Sequence, residues 1–201
     1  WVKNLLLFAA LFFSNSFHHI EPIRDSILAF IIFCIASSAV YLVNDVNDRK
    51  EDLLHPIKKN RPIASGELDF RFAILMAIIF LFSSVILSFL LNNKFLLLLI
   101  FYLAINIMYS GGLKRVAILE VMIVAIGFLI RSLAGAKAID VDPSPWLFIC
   151  TLTVAFLLTF GKRRHELNLL SQTASMHRKS LREYSDKFLD SMVTVFAASS
   201  I

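Results

Sequence analysis

The chain of 201 residues is 58% hydrophobic, with 19 Phe and a mean hydropathy of +0.73. This apolar share lies well above that of a water-soluble domain, so the composition predicts a membrane protein. The net charge of +5 comes mainly from bases in the predicted loops, where it is a signal of membrane topology and gives no indication of nucleic-acid binding.

Apolar segments that could cross a bilayer recur along the chain. A spanning helix needs about 20 apolar residues, because a rise of about 1.5 Å per residue must cover about 30 Å of hydrocarbon. Two shorter apolar segments, 1–13 and 188–201, stand at the ends. We expect one transmembrane domain over residues 1–201, truncated at both ends, with spans that meet or approach this length at 24–44, 70–91, 95–110, 117–136 and 144–161.

The basic residues of the predicted loops indicate the orientation. Fifteen Lys and Arg fall in segments 45–71, 111–116 and 162–187, whereas the alternate loops hold only Arg24, Lys94 and Lys137. Cytoplasmic loops of membrane proteins are enriched in Lys and Arg. We therefore predict that the basic side faces the cytoplasm.

An acidic stripe follows the 24–44 span. Asn44, Asp48 and Asp52 recur every four residues, so a helix aligns them on one face, with Asp45 beside the first. Carboxylates at this spacing repel one another, and an acid at membrane depth costs about 2.5–3.5 kcal/mol, so a cation is expected to offset them. Oxygen ligands favour Mg²⁺, which uses one or two carboxylates together with phosphate and water. The alternative is a solvated helix end whose acids pair with neighbouring bases.

A basic, proline-containing loop follows at 55–66, and its Lys58 and Arg61 suit the remaining charge of a metal-bound diphosphate. The pattern Asn-Asp-x-x-Asp-x-x-x-Asp followed by Arg-Pro-Ile-Ala-Ser-Gly resembles the first motif and loop of the UbiA superfamily of intramembrane prenyltransferases. The resemblance implies an all-α polytopic transmembrane helical bundle of about nine helices around a cavity open to the membrane, about seven of them wholly or partly present here. It also implies that Mg²⁺ and a diphosphate are bound by Asn44, Asp45, Asp48 and Asp52. Asp45 and Asp48 of this set are expected to be catalytic.

Three cations and one acid stand where typical members of that superfamily carry a second acidic motif. Lys162, Arg163, Arg164 and Glu166 follow the 144–161 span. Such bases replace a second metal site with direct phosphate contacts, for which the guanidinium fork is well suited. The alternative is a set of bases that only anchors the helix at the cytoplasmic surface.

A third polar patch lies at 109–120. Tyr109 and Lys114 flank two glycines that permit a tight turn. Tyr109 is able to donate a hydrogen bond from the helix end, and Lys114 is able to meet a phosphate. The alternative is that both residues anchor the helix at the membrane interface, as Tyr and Lys commonly do.

Together these segments resemble one branch of the superfamily, the decaprenyl-phosphate phosphoribosyltransferases. The stretches that carry the resemblance run in order along the chain, at 1–4, 109–120, 127–131, 144–146, 161–167 and within 177–190. The branch implies phosphoribosyl pyrophosphate as donor and a polyprenyl phosphate as acceptor. It also implies cell-wall biosynthesis on the cytoplasmic side of a bacterial plasma (inner) membrane. The expected substrate contacts are Lys58, Arg61, Tyr109, Lys114, Lys162, Arg163, Arg164 and Glu166.

Two other functions stay open at this point. The usual UbiA reaction joins a prenyl diphosphate to an aromatic acceptor, and the basic residues at 162–166 are the feature that separates it from phosphoribosyl transfer. A non-catalytic transporter or lipid-binding protein would use the acids as an ion site, although transporter sites usually lie near the midplane. Arg131 is expected either to line a cavity or to extend to the outer surface. His177 and Arg178 are candidates for a lid over the donor.

Overall fold

Helices joined by short turns make up the part of the chain that the computed structural model describes, residues 1–170 and 184–200. The N-terminal segment is a 3₁₀ helix, Val2–Phe8, which runs into the short helix α1, Ala9–Phe13. The other helices are α2 (Ile20–Leu53), α3 (Pro62–Ser65), α4 (Phe70–Ser88), α5 (Asn93–Gly111), α6 (Leu119–Ala138), α7 (Pro145–Leu170) and α8 (Asp186–Ser199).

Five of these helices, α2 and α4 to α7, are long and apolar enough to cross a membrane. They coincide with the five segments that the hydropathy pattern indicates. The prediction of an all-α integral membrane protein is therefore confirmed.

The α2 helix extends well beyond its predicted span. Its 34 residues correspond to about 51 Å of helix, against about 30 Å of bilayer hydrocarbon. The apolar residues 24–44 account for the membrane-crossing part, and the polar turns from Asn44 to Leu53 continue the same helix. The acidic stripe is therefore held on a regular helix and not on a loop.

Short connections make successive spans antiparallel. The C-terminal ends of α2, α5 and α7 consequently share one end of the bundle with the N-terminal ends of α4 and α6, while the turns 89–92 and 139–144 lie at the other. Segments 45–71, 111–118 and 162–170 all fall at the first end, which we call the basic end.

The α2 helix is also the centre of the packing, in contact with α4, α5 and α6. The Phe33 ring lies 5.7 Å from the ring of Phe95 and 5.3 Å from that of Tyr102, both on α5. Aromatic pairs at such separations contribute beyond the area that they bury. The buried cluster around them comprises Leu7, Ala29, Ile32, Phe33, Ala36, Val40, Phe95, Leu99, Tyr102, Leu103, Ile130, Ala134 and Ala138.

The N-terminal 3₁₀ helix lies very close to α6. A Cβ atom built on Gly135 would stand 2.0 Å from the carbonyl oxygen of Leu7. Only a residue without a side chain fits there, as is common where membrane helices pack backbone to backbone. This contact fixes the position of the segment that carries Lys3 and Asn4.

A second apolar cluster joins α6, α7 and α8 near the basic end, through Val121, Phe160, Tyr184 and Leu189. The hydroxyl of Tyr184 accepts a hydrogen bond of 2.7 Å from the backbone N–H of Ile118. Ile118 has φ = 65°, a strained conformation for a β-branched residue, and it turns the chain into α6. The start of α8 is thereby attached to the turn that precedes α6. His177 and Arg178, the candidate lid residues, lie outside the described residues.

Candidate active site

A large cavity of about 1000 Å³ opens within the bundle. At the basic end its walls carry acids, bases and amides from α2, α5 and α7 and from the loops at 55–61 and 114–115. Other parts of the wall are apolar, with side chains such as Leu5, Phe13, Val154 and Leu158. The cavity therefore offers a charged region for a polar group and an apolar region for a hydrocarbon chain.

The acidic stripe lines this cavity along its α2 wall. Asn44, Asp45, Asp48 and Asp52 all contribute to the lining, as the helical spacing predicts. Asp52 is almost fully buried. The amide oxygen of Asn44 accepts a hydrogen bond of 2.5 Å from the hydroxyl of Ser110, which ties the stripe to α5.

Cations from two loops cover the stripe. Nη1 of Arg61 lies 2.8 Å from an oxygen of Asp45 and 2.9 Å from an oxygen of Asp52. The ammonium of Lys114 pairs with Asp48. Arg61 reaches the acids because residues 54–61 fold back over the end of α2, where His55 Nδ1 accepts hydrogen bonds from two backbone N–H groups of the loop.

The donor atoms of the stripe fit a magnesium ion that is held partly by its substrate. Within residues 1–170 and 184–200, no three His, Cys, Asp or Glu side chains converge on one point in the manner of a closed metal cage. Mg²⁺ does not require such a cage, because one or two carboxylates suffice when phosphate oxygens and water complete its octahedron. Asp45 and Asp48 would supply those carboxylates, with Asn44 as a neutral oxygen donor beside them.

The second cluster forms another wall of the same cavity. Lys162, Arg163 and Glu166 line it from α7. Arg163 is 3% exposed, its Nε lies 2.9 Å from an oxygen of Glu120, and it also pairs with Glu166. Glu120 is fully buried in the first turn of α6. Sequence reasoning placed Glu120 in the third patch but did not assign it to the site.

Arg164 is the one predicted contact that the structure directs elsewhere. It does not line the cavity, and its guanidinium pairs with Asp190 at 2.6 Å and Asp186 at 2.8 Å on α8. Adjacent residues of a helix are turned about 100° apart, so Arg163 and Arg164 face different surroundings. Arg164 therefore contacts α8 in this structure, and its role in substrate binding stays a prediction.

The remaining predicted contacts, Lys58 and Tyr109, also line the cavity. Arg131 lines its deeper part and is 5% exposed. Of the two alternatives for Arg131, the cavity-lining position is therefore the one observed. Lys3 faces the cavity as well, with its ammonium 5.1 Å from the centre of the Phe128 ring. The sequence offered no spacing signal that would have placed Lys3 in the site.

Comparison with known proteins agrees with this architecture. The model of the UbiA prenyltransferase family matches residues 5–163. The decaprenyl-phosphate phosphoribosyltransferase of Mycolicibacterium smegmatis is 33% identical to this chain over all of its residues, and the match covers 64% of that protein. The protein of the same name from Mycobacterium tuberculosis is 34% identical over the whole chain, and the match covers 68% of it. The chain thus spans about two thirds of the length of these relatives.

Solved structures share the fold at lower identity. A UbiA homolog from Archaeoglobus fulgidus, bound to DMAPP and Mg²⁺, superposes with a TM-score of 0.81 at 19% identity, over 98% of this chain and 71% of that one. The family match covers far more than half of the chain, and it includes both the acidic stripe and the start of the second cluster. The chain therefore belongs to the UbiA prenyltransferase family.

Proposed function

We propose that this protein transfers the 5-phosphoribosyl group of phosphoribosyl pyrophosphate to a polyprenyl phosphate. An oxygen of the lipid phosphate attacks the anomeric carbon of the ribose, the bond from that carbon to the diphosphate oxygen breaks, and pyrophosphate leaves with the bonding electrons. The products are a polyprenyl-phosphoryl 5-phosphoribose, which keeps both the lipid phosphate and the 5-phosphate of the ribose, and inorganic pyrophosphate.

One observation carries this proposal: an acidic stripe and a basic cluster face the same cavity. Asp45 and Asp48 can share a metal-bound diphosphate, whereas Lys162 stands where a second acidic motif would hold more metal. A prenyl diphosphate has no other phosphate. Phosphoribosyl pyrophosphate and a polyprenyl phosphate together bring two further phosphates, and cations suit both. The names of the relatives, which match over the entire chain, favour the same reaction.

The reaction asks for charge stabilisation and alignment more than for proton transfer. The lipid phosphate is already an anion, so its attack needs no general base, and the leaving diphosphate gains negative charge as the bond breaks. A bound Mg²⁺ would neutralise part of that charge and orient the diphosphate. Lys114 and Arg61 pair with the acids, and both would contact the diphosphate once the acids share a metal ion.

The apolar part of the cavity supports the assignment of a lipid acceptor. Leu5 and Phe13 of the short apolar N-terminal segment line it, together with Val154 and Leu158 of α7, which is long and apolar enough to cross a membrane. A polyprenyl chain that lies among these side chains keeps its phosphate directed towards the basic end. The water-soluble donor would enter from that end, which we assign to the cytoplasmic side of a bacterial plasma membrane on the basis of the eleven Lys and Arg in its segments 45–71, 111–118 and 162–170.

A donor comparison tests the proposal. Membranes that contain the full-length protein are incubated with Mg²⁺ and either labelled phosphoribosyl pyrophosphate plus decaprenyl phosphate, or a labelled prenyl diphosphate plus an aromatic acid. We expect label in the lipid fraction only from the first pair, and its loss when EDTA removes the metal. Product from the second pair alone would replace this reaction with the usual prenyl transfer. No product from either pair would favour a non-catalytic role.

A matched pair of variants links the outcome to the site. Lys162→Gln removes a cation from the cavity wall, whereas Lys94→Gln removes an exposed lysine at the opposite end of the bundle. We expect phosphoribosyl transfer to fall at least about tenfold in the first variant, the effect of losing one charge-assisted hydrogen bond, and to stay at the wild-type rate in the second.

A further inference from the structure

Arg131 lies deeper in the cavity than the acidic stripe. Its guanidinium donates to the hydroxyl of Tyr102, and Tyr102 stands eight residues before Ser110 on α5. Ser110 is bonded to Asn44 at the level of the stripe. Eight residues of helix correspond to about 12 Å, so Arg131 is separated from the proposed metal site by more than the length of a diphosphate.

The partners of Arg131 are all uncharged. Nε donates to Asn4 Oδ1 at 2.8 Å, Nη1 to the carbonyl oxygen of Gly127 at 2.6 Å, and Nη2 to the hydroxyl of Tyr102 at 2.8 Å. No carboxylate pairs with Arg131 anywhere in the described parts of the chain. These bonds use three of the five N–H groups of the guanidinium and fix its plane, which leaves two for a ligand.

Lys3 adds a second cation on the same cavity. Its ammonium stands over the Phe128 ring, one residue after the Gly127 carbonyl that binds Arg131. Lys3 also lies within electrostatic reach of Arg131, Lys162 and Arg163. Among residues 1–170 and 184–200, Lys3 makes no ion pair with a carboxylate. Arg163, in contrast, is balanced by Glu120 and Glu166.

We propose that Lys3 and Arg131 form a second anion site, distinct from the acidic stripe, that binds a phosphate monoester. Arg131 is buried without a counter-ion, which is costly at membrane depth, and a dianionic phosphate would offset its charge together with that of the more exposed Lys3. The three neutral hydrogen bonds hold the Arg131 fork in place before the ligand arrives, which lowers the ordering cost of binding.

This inference rests on the proposed function, which supplies two candidate monoesters. One is the phosphate of the polyprenyl acceptor, and the other is the 5-phosphate of the ribose donor. Both present a terminal phosphate on an ester oxygen, so the same pair of cations suits either. In both cases the site would align the two substrates for attack below the diphosphate, so that Lys3 and Arg131 act in binding and orientation.

Binding measurements without turnover test the site independently of the reaction. Full-length protein in detergent is titrated with decaprenyl phosphate, with ribose 5-phosphate and with uncharged decaprenol, all in EDTA so that no metal bridges a phosphate to the acids. Lys3→Gln is the leading variant, because Lys3 donates no side-chain hydrogen bond to any other residue that the structure describes. Lys3→Arg retains the charge, and Lys94→Gln removes a lysine far from the cavity.

We expect Lys3→Gln to weaken binding of one monoester at least about tenfold, Lys3→Arg to restore most of the affinity, and Lys94→Gln to bind as the wild type does. Arg131→Lys, which keeps the charge but loses the planar guanidinium, should weaken binding of the same monoester. Weaker binding of decaprenyl phosphate by these variants identifies the acceptor phosphate as the occupant of the site. Weaker binding of ribose 5-phosphate identifies the 5-phosphate of the donor. Unchanged affinities for both, or an equal loss for decaprenol, would overturn the site, whatever the donor assay shows.

Discussion

The close contact between the N-terminal 3₁₀ helix and α6 predicts a large effect for the smallest possible substitution, Gly135→Ala. The added Cβ would lie 2.0 Å from the Leu7 carbonyl oxygen and 2.7 Å from the Leu7 carbonyl carbon and Cα. Ordinary contact begins at 3.4 Å, and both partners are backbone, so no side-chain rotation relieves the overlap. The two segments must move apart, and we expect a loss of at least about 2 kcal/mol in the free energy of unfolding, within the upper range for overpacked sites.

Gly161→Ala is the matched control, since Gly161 is also helical and a Cβ there has no atom within 4 Å. Helix propensity alone would make that variant neutral or up to about 1 kcal/mol more stable. Equilibrium unfolding of the full-length protein in detergent measures both. Equal midpoints for Gly135→Ala and the wild type would refute the close packing of the 3₁₀ helix on α6. A displaced 3₁₀ helix should also weaken monoester binding through Lys3.

Three further predictions follow from the charged groups. Glu120→Gln leaves its buried partner Arg163 poorly compensated and should cost about 3 kcal/mol or more in the free energy of unfolding. Glu51→Gln, which removes one member of an exposed ion pair, should cost less than about 1 kcal/mol. Denaturant titration compares the two variants. Asp48→Asn should lower Mg²⁺-dependent transfer at least about 100-fold while the protein still inserts into membranes, with Asp142→Asn, on an exposed turn, as the unchanged control in the same rate assay. Arg164→Gln should keep kcat/KM near the wild-type value but lower the thermal unfolding midpoint, because this arginine pairs with acids of α8. A large fall in kcat/KM at an unchanged midpoint would show instead that Arg164 contacts the substrate.

The sequence was informative wherever one physical rule dominates. Hydropathy located all five spans, because bilayer thickness leaves few other solutions for long apolar segments. The spacing of Asn44, Asp48 and Asp52 predicted a common face, because α2 continues as a regular helix to Leu53. The membrane-spanning segments therefore followed from hydropathy and the lining of one cavity wall from helical spacing, whereas the bundle of helices around a cavity was implied by the family resemblance.

The rest depended on contacts between distant segments, for which no local pattern exists. Lys3 reaches the cavity because its 3₁₀ helix packs on distant parts of the chain, among them Gly135 of α6. Glu120 of α6 pairs with Arg163 of α7. The two arginines at 163 and 164 are equivalent in sequence, and only the rotation of α7 about its axis decides which one lines the cavity. A resemblance to a family identifies such motifs but does not supply these distances.

The position of one oxygen atom tests the central claim most directly. The full-length protein is supplied with decaprenyl phosphate and with phosphoribosyl pyrophosphate that carries ¹⁸O in the bridge between the anomeric carbon and the diphosphate. If the lipid phosphate is the nucleophile and the diphosphate leaves from the ribose, mass spectrometry will find all of the ¹⁸O in the released pyrophosphate and none in the phosphoribosyl lipid. Retention of ¹⁸O in the lipid product would mean that the bond from carbon to oxygen stays intact, and it would contradict the proposed reaction.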